Sequence, residues 1–289
     1  MATEGGGTSK ALGVDTVLAG VMPPPGHLQI ENFLAFYTAG ELLDSSGNER
    51  PGISDFDLFI FAETLRFRYI LPRVEIFGAN LELRFGWTAV ADADVSFDVH
   101  TPFGTFHRED STINVGDSLV GLILGWHSEH YHQMFGVDIF MPTGRFSERK
   151  LVNTSRGYWS IGPAYWFTWF PIKQIEVSGT PMFLINFENP DTNYTSGKEL
   201  TFDYNLGYFV TPDWEVGISG YAYKQVLDDE INGHTVGDGN RGLVVAFGPA
   251  LRWAPHGKNF GLALKWQHEE AVENRTKGER VIFQGRIQF

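Results

Sequence analysis

The amino-acid sequence predicts an all-β fold, a transmembrane antiparallel β-barrel of twelve strands whose lumen is plugged by the N-terminal segment. Three observations lead to this prediction. Apolar and polar residues alternate along segment after segment, the connections alternate between short and long, and Trp and Tyr gather near the segment ends. Barrels of the bacterial outer membrane combine these features, because each strand turns one face to lipid and the other to the lumen.

The composition narrows the classes of protein to be considered. The chain has 289 residues, a formal net charge of −13 and no Cys. An acidic chain is a poor partner for phosphate backbones, so we expect no nucleic-acid ligand. The lack of Cys excludes disulfides, Cys-based zinc sites and thiol catalysis. We expect neither a metal nor another cofactor.

The alternation is clearest from residue 200 to 210, where every second residue is apolar. Successive side chains of a strand point to opposite faces, so this pattern predicts a strand with one apolar face. The same argument along the chain predicts twelve strands, with no helix between them. They are expected at 27–39, 56–69, 74–90, 113–126, 133–141, 158–168, 175–187, 200–210, 214–226, 242–253, 260–270 and 280–289.

The connections between these segments indicate how the barrel is oriented. Outer-membrane barrels have tight periplasmic turns and larger outer loops, and hydrocarbon cannot satisfy a free sheet edge, so the strands must close. We expect the mature form of an outer-membrane protein in contact with membrane lipid and lipopolysaccharide. A soluble all-β binder with its apolar face turned inward is the alternative. Short turns are expected at 72–73, 127–132, 169–174, 211–213 and 254–259, and longer loops at 40–55, 91–112, 142–157, 188–199, 227–241 and 271–279.

The first 26 residues do not alternate, yet they contain an apolar stretch between a Gly-rich and a Pro-rich end. Apolar residues need burial, and the lumen is the nearest dry place. We therefore predict residues 1–26 as a lumen plug and residues 27–289 as the barrel, with a free N-terminal tail as the alternative. The plug is expected to include Gly5, Gly6, Gly7, Leu18, Val21, Met22, Pro23, Pro24 and Pro25.

Alternation along the first three strands predicts two kinds of side chain in the lumen. Apolar positions suit a path for a hydrophobic solute, whereas the charged positions are expected to pair with one another. Asn32 and Glu63 fall on the predicted lipid face, which a bulge or a register error would explain. The apolar set is Phe33, Tyr37, Leu58, Ile60 and Ile76, and the charged set is Glu31, Arg66, Glu82 and Arg84.

Three prolines, Pro163, Pro181 and Pro249, lie inside predicted strands. Proline has no N–H, so each removes one hydrogen bond from the ladder, and a closed barrel has no edge where that loss is harmless. We expect at least one of the three to mark a lateral opening through which a solute leaves for the bilayer. A structural bulge is the alternative for each.

The sequence contains one candidate metal cluster and no clear catalytic combination. His127, His130 and His132 lie in a predicted turn, where solvated His is the simpler interpretation. No Ser, His and orienting polar residue are specified as a catalytic trio, so we expect no enzyme. A lipid-modifying hydrolase on the same barrel and a narrow channel for hydrophilic solutes or ions are the alternative functions.

Short motifs spread over the chain resemble those of an outer-membrane channel family linked to the phenol meta-cleavage pathway and to uptake of hydrophobic compounds. The resemblance implies a monomeric twelve-stranded barrel, an N-terminal segment that occludes the lumen, and passage of small hydrophobic molecules. A small hydrophobic substrate or detergent is then the expected lumen ligand. The motifs lie at residues 4–7, 18–20, 23–26, 194–197, 203–204, 217–225, 228–229, 239–241, 248–249, 274–275 and 278.

Overall fold

The computed structural model describes residues 4–289, so residues 1–3 of the predicted plug lie outside the described residues. Twelve antiparallel strands form a closed ring in chain order, because β1 pairs with β2 on one side and with β12 on the other. The predicted barrel is confirmed. The strands are β1 (Leu28–Leu42), β2 (Ile53–Ile76), β3 (Ala79–Thr101), β4 (Ser118–His127), β5 (Tyr131–Met141), β6 (Ser160–Ile172), β7 (Ile175–Asn186), β8 (Glu199–Phe209), β9 (Trp214–Gln225), β10 (Leu243–Trp253), β11 (Phe260–Glu273) and β12 (Thr276–Gln288).

The two faces of the wall are inverted relative to a water-soluble protein. Outward side chains such as Leu206, Ile218 and Leu262 are more than half exposed, at 55%, 53% and 52%. Inward side chains such as Asp203 and Asn205 are buried, at 0% and 2% exposure. Large apolar side chains left exposed in a continuous belt need hydrocarbon around them. The wall therefore lies in lipid, and the soluble binder is excluded.

Two connections differ from the sequence prediction because the strands run further than expected. The predicted turn at residues 72–73 lies inside β2, where a register shift between Ile70 and Glu75 accommodates the proline, and the chain turns instead at Phe77 and Gly78. The predicted loop 271–279 is a tight turn, in which Asn274 has a φ of +53°. Asn adopts this left-handed conformation more readily than most residues.

The predicted outer loop 91–112 is mostly strand. β3 continues to Thr101, and a further strand, Gly104–Asn114, pairs back on it to form a hairpin that rises above the barrel. Period-two alternation cannot reveal such a hairpin, because both of its faces meet water. The loops at 188–199 and 227–241 contain four short strands that form a separate small sheet: Glu188–Asn189, Tyr194–Thr195, Glu230–Ile231 and His234–Thr235.

Helical structure is nearly absent from the described residues. It is confined to one 3₁₀ turn at Glu4–Gly6, and none of it is long and apolar enough to cross a membrane. The barrel is closed at its short-turn end by Leu28 and Phe289, whose backbones exchange hydrogen bonds of 3.2 and 2.8 Å. β1 and β12 thus meet at the periplasmic end.

The apolar belt leads to a stability prediction for Ile218. Replacing it with Arg should lower the free energy of unfolding by about 2–4 kcal/mol, the cost of a cation on the lipid face near mid-bilayer. The measurement is denaturant unfolding of the protein in phospholipid vesicles. Ile231→Arg is the matched control, because Ile231 is exposed in an outer loop. Equal effects of the two substitutions would contradict the assignment of the belt to lipid.

Candidate functional site in the barrel lumen

The described part of the N-terminal segment runs through the barrel interior from one end to the other. At the outer end, the Glu4 carboxylate accepts hydrogen bonds from Asn189 Nδ2 at 2.7 Å and Thr192 Oγ1 at 2.6 Å. At the periplasmic end, the Gly26 amide donates to the Ile70 carbonyl at 2.9 Å, just before β1 begins. Residues 4–26, called the arm below, therefore span the length of the lumen.

The middle of the arm is bound by Asp203 of β8, a fully buried carboxylate. Asp203 accepts hydrogen bonds from the amides of Gly13 and Asp15 at 3.0 and 3.1 Å, and it forms an ion pair with Lys10 at 2.8 Å. A buried charge is tolerated only when it is paired and hydrogen-bonded. Asp203 therefore depends on the arm as much as the arm depends on it.

Lys265 of β11 binds the same stretch of the arm as a hydrogen-bond donor, whereas Asp203 binds it as an acceptor. Its buried ammonium donates to the carbonyls of Gly13 and Val14 at 3.0 and 2.7 Å and to Thr16 Oγ1 at 3.3 Å. The arm thus meets an anion through its N–H groups and a cation through its C=O groups. Because one backbone stretch satisfies both, its position in the lumen is closely defined.

The lower arm is held against β6 and β7. The amide of Leu18 donates to Glu176 Oε1 at 2.7 Å, and the amide of Gly20 donates to Thr168 Oγ1 at 3.0 Å. A Cβ on Gly20 would lie 2.6 Å from the carbonyl oxygen of His132, so only glycine fits here. A buried Gly at this point lets the arm backbone touch the barrel wall.

The other predicted plug residues lie along the same path. Gly5 and Gly6 belong to the 3₁₀ turn, and Gly7 packs against the Arg156 guanidinium. The Val21 carbonyl accepts a hydrogen bond from Arg68 at 3.3 Å. Met22 and Pro23 are buried, whereas Pro24 and Pro25 are exposed at the periplasmic end.

The predicted charged set lies in two ion-pair clusters inside the lumen, one around Arg66 and one around Glu82. Arg66 binds Glu31 at 2.6 Å and Asp15 of the arm at 2.5 Å, while Glu82 binds Arg68 at 2.7 Å and Arg84 at 2.8 Å. The sequence argument missed two members, Asp15 and Asp138. Asp138 is on β5 and lies 3.3 Å from Arg84.

The predicted apolar set divides between two places. Phe33 is buried in the middle of the lumen, whereas Tyr37, Leu58 and Ile60 pack near its outer end, where Tyr37 and Leu58 form a cluster with Ala39 and Val95. The expectation for Ile76 is wrong. It is 37% exposed beside the periplasmic turn, because the register shift in β2 breaks the alternation on which the assignment rested.

A larger apolar surface inside the barrel was missed by the sequence argument. It lies on β4 to β7, where Met22 and Ala19 of the arm pack against it, and we call it the apolar wall. Its signal in the sequence is the same period-two alternation, applied to these strands as it was to the first three. Its main members are Ile123, Met134, Phe140, Trp166, Met182 and Leu184.

The three strand prolines interrupt two ladders. Pro163 on β6 and Pro181 on β7 both lie along the contact between these two strands, which we call the β6–β7 seam. Between the pairs Ile161↔Ile185 and Phe167↔Gly179, the only residues of the seam that remain paired are Ala164 and Met182. Both prolines keep their register with the strands on the far side, Pro163 with Val137 and Pro181 with Phe202. The β6–β7 seam is therefore weakened at its centre, directly outside the apolar wall.

Pro249 interrupts the β10–β11 ladder. Pairing stops after Phe247↔His268 and resumes at Ala250↔Lys265. Next to this gap, the lipid-facing side of the wall has an apolar groove of about 460 Å³. It is lined mainly by Leu34, Leu251, Trp253, Leu262, Leu264 and Phe283.

The two polar residues on the lipid face are hydrogen-bonded to each other, while the buried Oδ1 of Asn32 has no partner in the described structure. Asn32 Nδ2 donates to Glu63 Oε1 at 2.9 Å across β1 and β2. β1 and β2 pair without a register shift at these residues, so both side chains face lipid in regular strand geometry, and the bulge between Glu63 and Thr64 skips only Ala89 of β3. Pairing reduces the cost of placing these groups near lipid.

The clusters weighed for metal or catalytic chemistry are peripheral. In the described chain, no group of three His, Asp or Glu side chains could hold a metal. The Nδ1 atoms of His127 and His132 lie 3.1 Å apart, and His132 also packs edge-on against the Phe170 ring. Ser54 Oγ lies 2.8 Å from His100 Nε2, but His100 Nδ1 faces the Thr105 hydroxyl at 2.9 Å. A hydrolytic triad needs a carboxylate at that position to stabilise the imidazolium.

Comparison with known proteins assigns the family. The family model described as “Putative MetA-pathway of phenol degradation” matches residues 39–284. The chain belongs to this family. The resemblance expected from the sequence motifs is thereby confirmed. A search of curated protein sequences finds no match.

A solved outer-membrane channel shares the fold. The COG4313 outer membrane channel from Pseudomonas putida F1 superposes with a TM-score of 0.76 at 17% identity, over 93% of this chain and 97% of that one. The β-domain of the Bordetella autotransporter Brka has a TM-score of 0.49 at 10% identity, over 92% and 100% of the two chains. The NanC porin has a TM-score of 0.44 at 10% identity, over 91% and 98%.

The contacts of Lys265 predict how firmly the arm is held. Lys265→Met removes a buried donor from three acceptors, of which, among the described residues, only the Gly13 carbonyl keeps another donor, Gln267 Nε2 at 3.3 Å. A buried acceptor left unsatisfied costs about 1–3 kcal/mol, so arm release should rise at least about tenfold. The chain has no Cys, so Val17→Cys provides a single thiol on the arm. The measurement is its labelling rate with a water-soluble maleimide. Lys224→Met, an exposed residue of β9, is the control, and equal labelling rates would contradict the role of Lys265.

Proposed function

We propose that this protein is an outer-membrane channel for passive uptake of small hydrophobic compounds, aromatic ones above all, with a plug in its lumen and a lateral exit into the bilayer. The observation that carries the proposal is the apolar wall behind the proline-broken β6–β7 seam. Family membership supports it, since the family description refers to phenol degradation. The Pseudomonas putida structure is itself described as an outer membrane channel.

A lateral exit follows from the solubility of the solute. A hydrophobic molecule that left through the periplasmic mouth would have to enter water, whereas a gap in the wall leads directly into hydrocarbon. A backbone group without a partner costs several kcal/mol in lipid. Because two prolines already remove hydrogen bonds from the β6–β7 seam, fewer bonds are broken when the strands separate there than elsewhere in the wall. Pro249 is the second candidate, because its gap adjoins an apolar groove on the outside.

Residues 1–26 are proposed as the plug, of which the arm is the described part. Its contacts with Asp203, Lys265, Glu176 and Thr168 are polar and reversible, and Met22 covers part of the apolar wall. Uptake requires the arm to shift away from that wall. The arm then acts as a gate whose movement exposes the apolar surface to a solute.

A channel for hydrophilic solutes is less well supported by the same geometry. Beside the arm, the lumen has polar cavities of about 20 and 30 Å³, which is room for one or two water molecules each. The charged lumen residues are largely paired with one another or with the arm. Charges engaged in this way do not form a selectivity ring.

Removing the arm tests the plug. Deletion of residues 2–22 should raise single-channel conductance in planar bilayers several-fold, because the arm occupies the lumen along its whole length. The control is the far-UV circular dichroism and heat-modifiable gel mobility of the variant, which should remain those of a folded barrel. Unchanged conductance of the folded variant would contradict the plug.

Restoring the broken ladders tests the lateral exit. Pro163→Ala combined with Pro181→Ala supplies two N–H groups to the β6–β7 seam, and about 1.4 kcal/mol of regained pairing would lower the open population tenfold. Initial uptake of radiolabelled naphthalene by cells that express the variant should fall accordingly. Pro212→Ala, in the β8–β9 turn, is the control. Wild-type uptake by both this double variant and Pro249→Ala would rule out a proline-dependent exit.

A further inference from the structure

Arg286 of β12 is a lumen arginine without a partner. Arg66, Arg68, Arg84 and Arg252 each have a carboxylate oxygen within 3.5 Å. The half-buried side chain of Arg286, by contrast, makes no hydrogen bond, ion pair or ring contact with any residue between 4 and 289. A guanidinium presents five N–H donors and is always charged. Its donors are therefore available to a ligand.

The nearest inward carboxylate in the register is already engaged. Glu31 lies opposite Arg286 on β1, but its oxygens accept hydrogen bonds from Arg66 Nε at 2.6 Å and from Gln29 Nε2 at 3.0 Å. Gln284 also donates to Glu31, at 3.4 Å. Glu31 thus belongs to the cluster around Arg66 and forms no direct ion pair with Arg286.

A second arginine faces the same small cavity. Arg252 of β10 lines it together with Arg286, and its Nη1 lies 3.5 Å from Glu215 Oε2. Its Nε, however, is buried and has no acceptor in the described structure. Two guanidinium groups on one cavity repel each other at low dielectric. An anion between them would relieve the repulsion and supply the missing acceptor.

β11, the strand between the two arginines, has small inward residues that leave room for both guanidinium groups. Gly261 of β11 pairs with Arg286, and a Cβ at Gly261 would lie 3.0 Å from Arg286 Nε. Ala263, the next inward residue, pairs with Arg252. The cavity of about 20 Å³ over these small residues is covered by Val17 of the arm. Movement of Val17 would enlarge it enough for a carboxylate.

The cavity also lies beside the apolar surface outside the barrel. Leu262, Ala263 and Gln284 line both this cavity and the outer groove. The gap at Pro249 is also close to the cavity. Ala250↔Lys265 is the last pair before the gap, and it lies two residues along the ladder from Arg252↔Ala263. A molecule with an anionic head and an apolar body would meet matching surfaces on the two sides of one thin section of wall.

We infer that Arg286 and Arg252 form a binding site for the carboxylate of a small hydrophobic acid. The inference rests on the proposed function and deepens it, because it specifies the headgroup of one class of solute that the lumen accepts. A guanidinium binds a carboxylate through two parallel hydrogen bonds. Arg286 supplies this fork, and Arg252 Nε supplies a further donor from the opposite side.

The test uses benzoate and its neutral isostere benzamide, with dissociation constants measured by ligand-observed NMR on the purified full-length protein in detergent. Wild-type protein should bind benzoate at least about tenfold more tightly than benzamide, and Arg286→Gln should abolish that difference. Arg252→Gln should reduce it in part. Val17→Ala, which opens the cavity, should tighten benzoate binding. Arg73→Gln is the control, an exposed arginine at the periplasmic end but outside the lumen.

Three outcomes would overturn the assignment: equal affinity for benzoate and benzamide in the wild type, unchanged benzoate binding by Arg286→Gln, or equal weakening by Arg73→Gln. None of them depends on naphthalene uptake or on arm-deletion conductance. If Arg286→Gln leaves benzoate binding unchanged while naphthalene uptake persists, only the anion site is wrong. If naphthalene uptake is absent while benzoate binding depends on Arg286, the hydrophobic uptake channel is wrong and the site stands as a binding site.

Discussion

The inability of hydrocarbon to hydrogen-bond is the constraint on which this structure depends. Each backbone N–H and C=O in the wall needs a partner from a neighbouring strand, and a sheet meets that demand all round only by closing. The ring closes where β1 meets β12, and Leu28 and Phe289 complete it at the periplasmic end. The same solvent draws apolar side chains such as Ile218 to the outside. Polar side chains are left to fill a narrow interior.

A narrow interior makes unpaired charge costly, and this accounts for the relation between the arm and the barrel. Asp203 of β8 and Lys265 of β11 are buried on separate strands of the lumen wall, and both are satisfied by the backbone around Gly13. Asp15 of the arm completes the network of Arg66. The arm is thus an electrostatic component of the barrel as well as a space-filling one. Its displacement would leave several groups in need of water or of a ligand.

The three strand prolines are exceptions to the requirement that every backbone group in the wall has a hydrogen-bond partner. A lost ladder hydrogen bond costs most in lipid, yet Pro163 and Pro181 lie in one seam, on the two sides of the Ala164↔Met182 pair. Behind them lies the apolar wall around Trp166 and Met182. A weak seam and a hydrophobic lining are separate features of the sequence, and their coincidence supports the proposed exit for hydrophobic solutes. Arg286 extends the proposal to solutes that carry a carboxylate.

The sequence by itself determined the fold class, the twelve strands and the face that residues of the regularly paired strands present, because period-two alternation reports directly on which side of a strand meets lipid. It also located the three prolines and the charged residues of the first strands. Only the tertiary structure decided which neighbouring strands lose hydrogen bonds at the prolines, because this depends on how two separate segments pair. The same holds for the arm, whose partner Asp203 is 190 residues from Gly13 and whose partner Lys265 is 252 residues away. Local alternation carries no information about contacts across a lumen, and it is lost at a bulge, as the exposure of Ile76 illustrates.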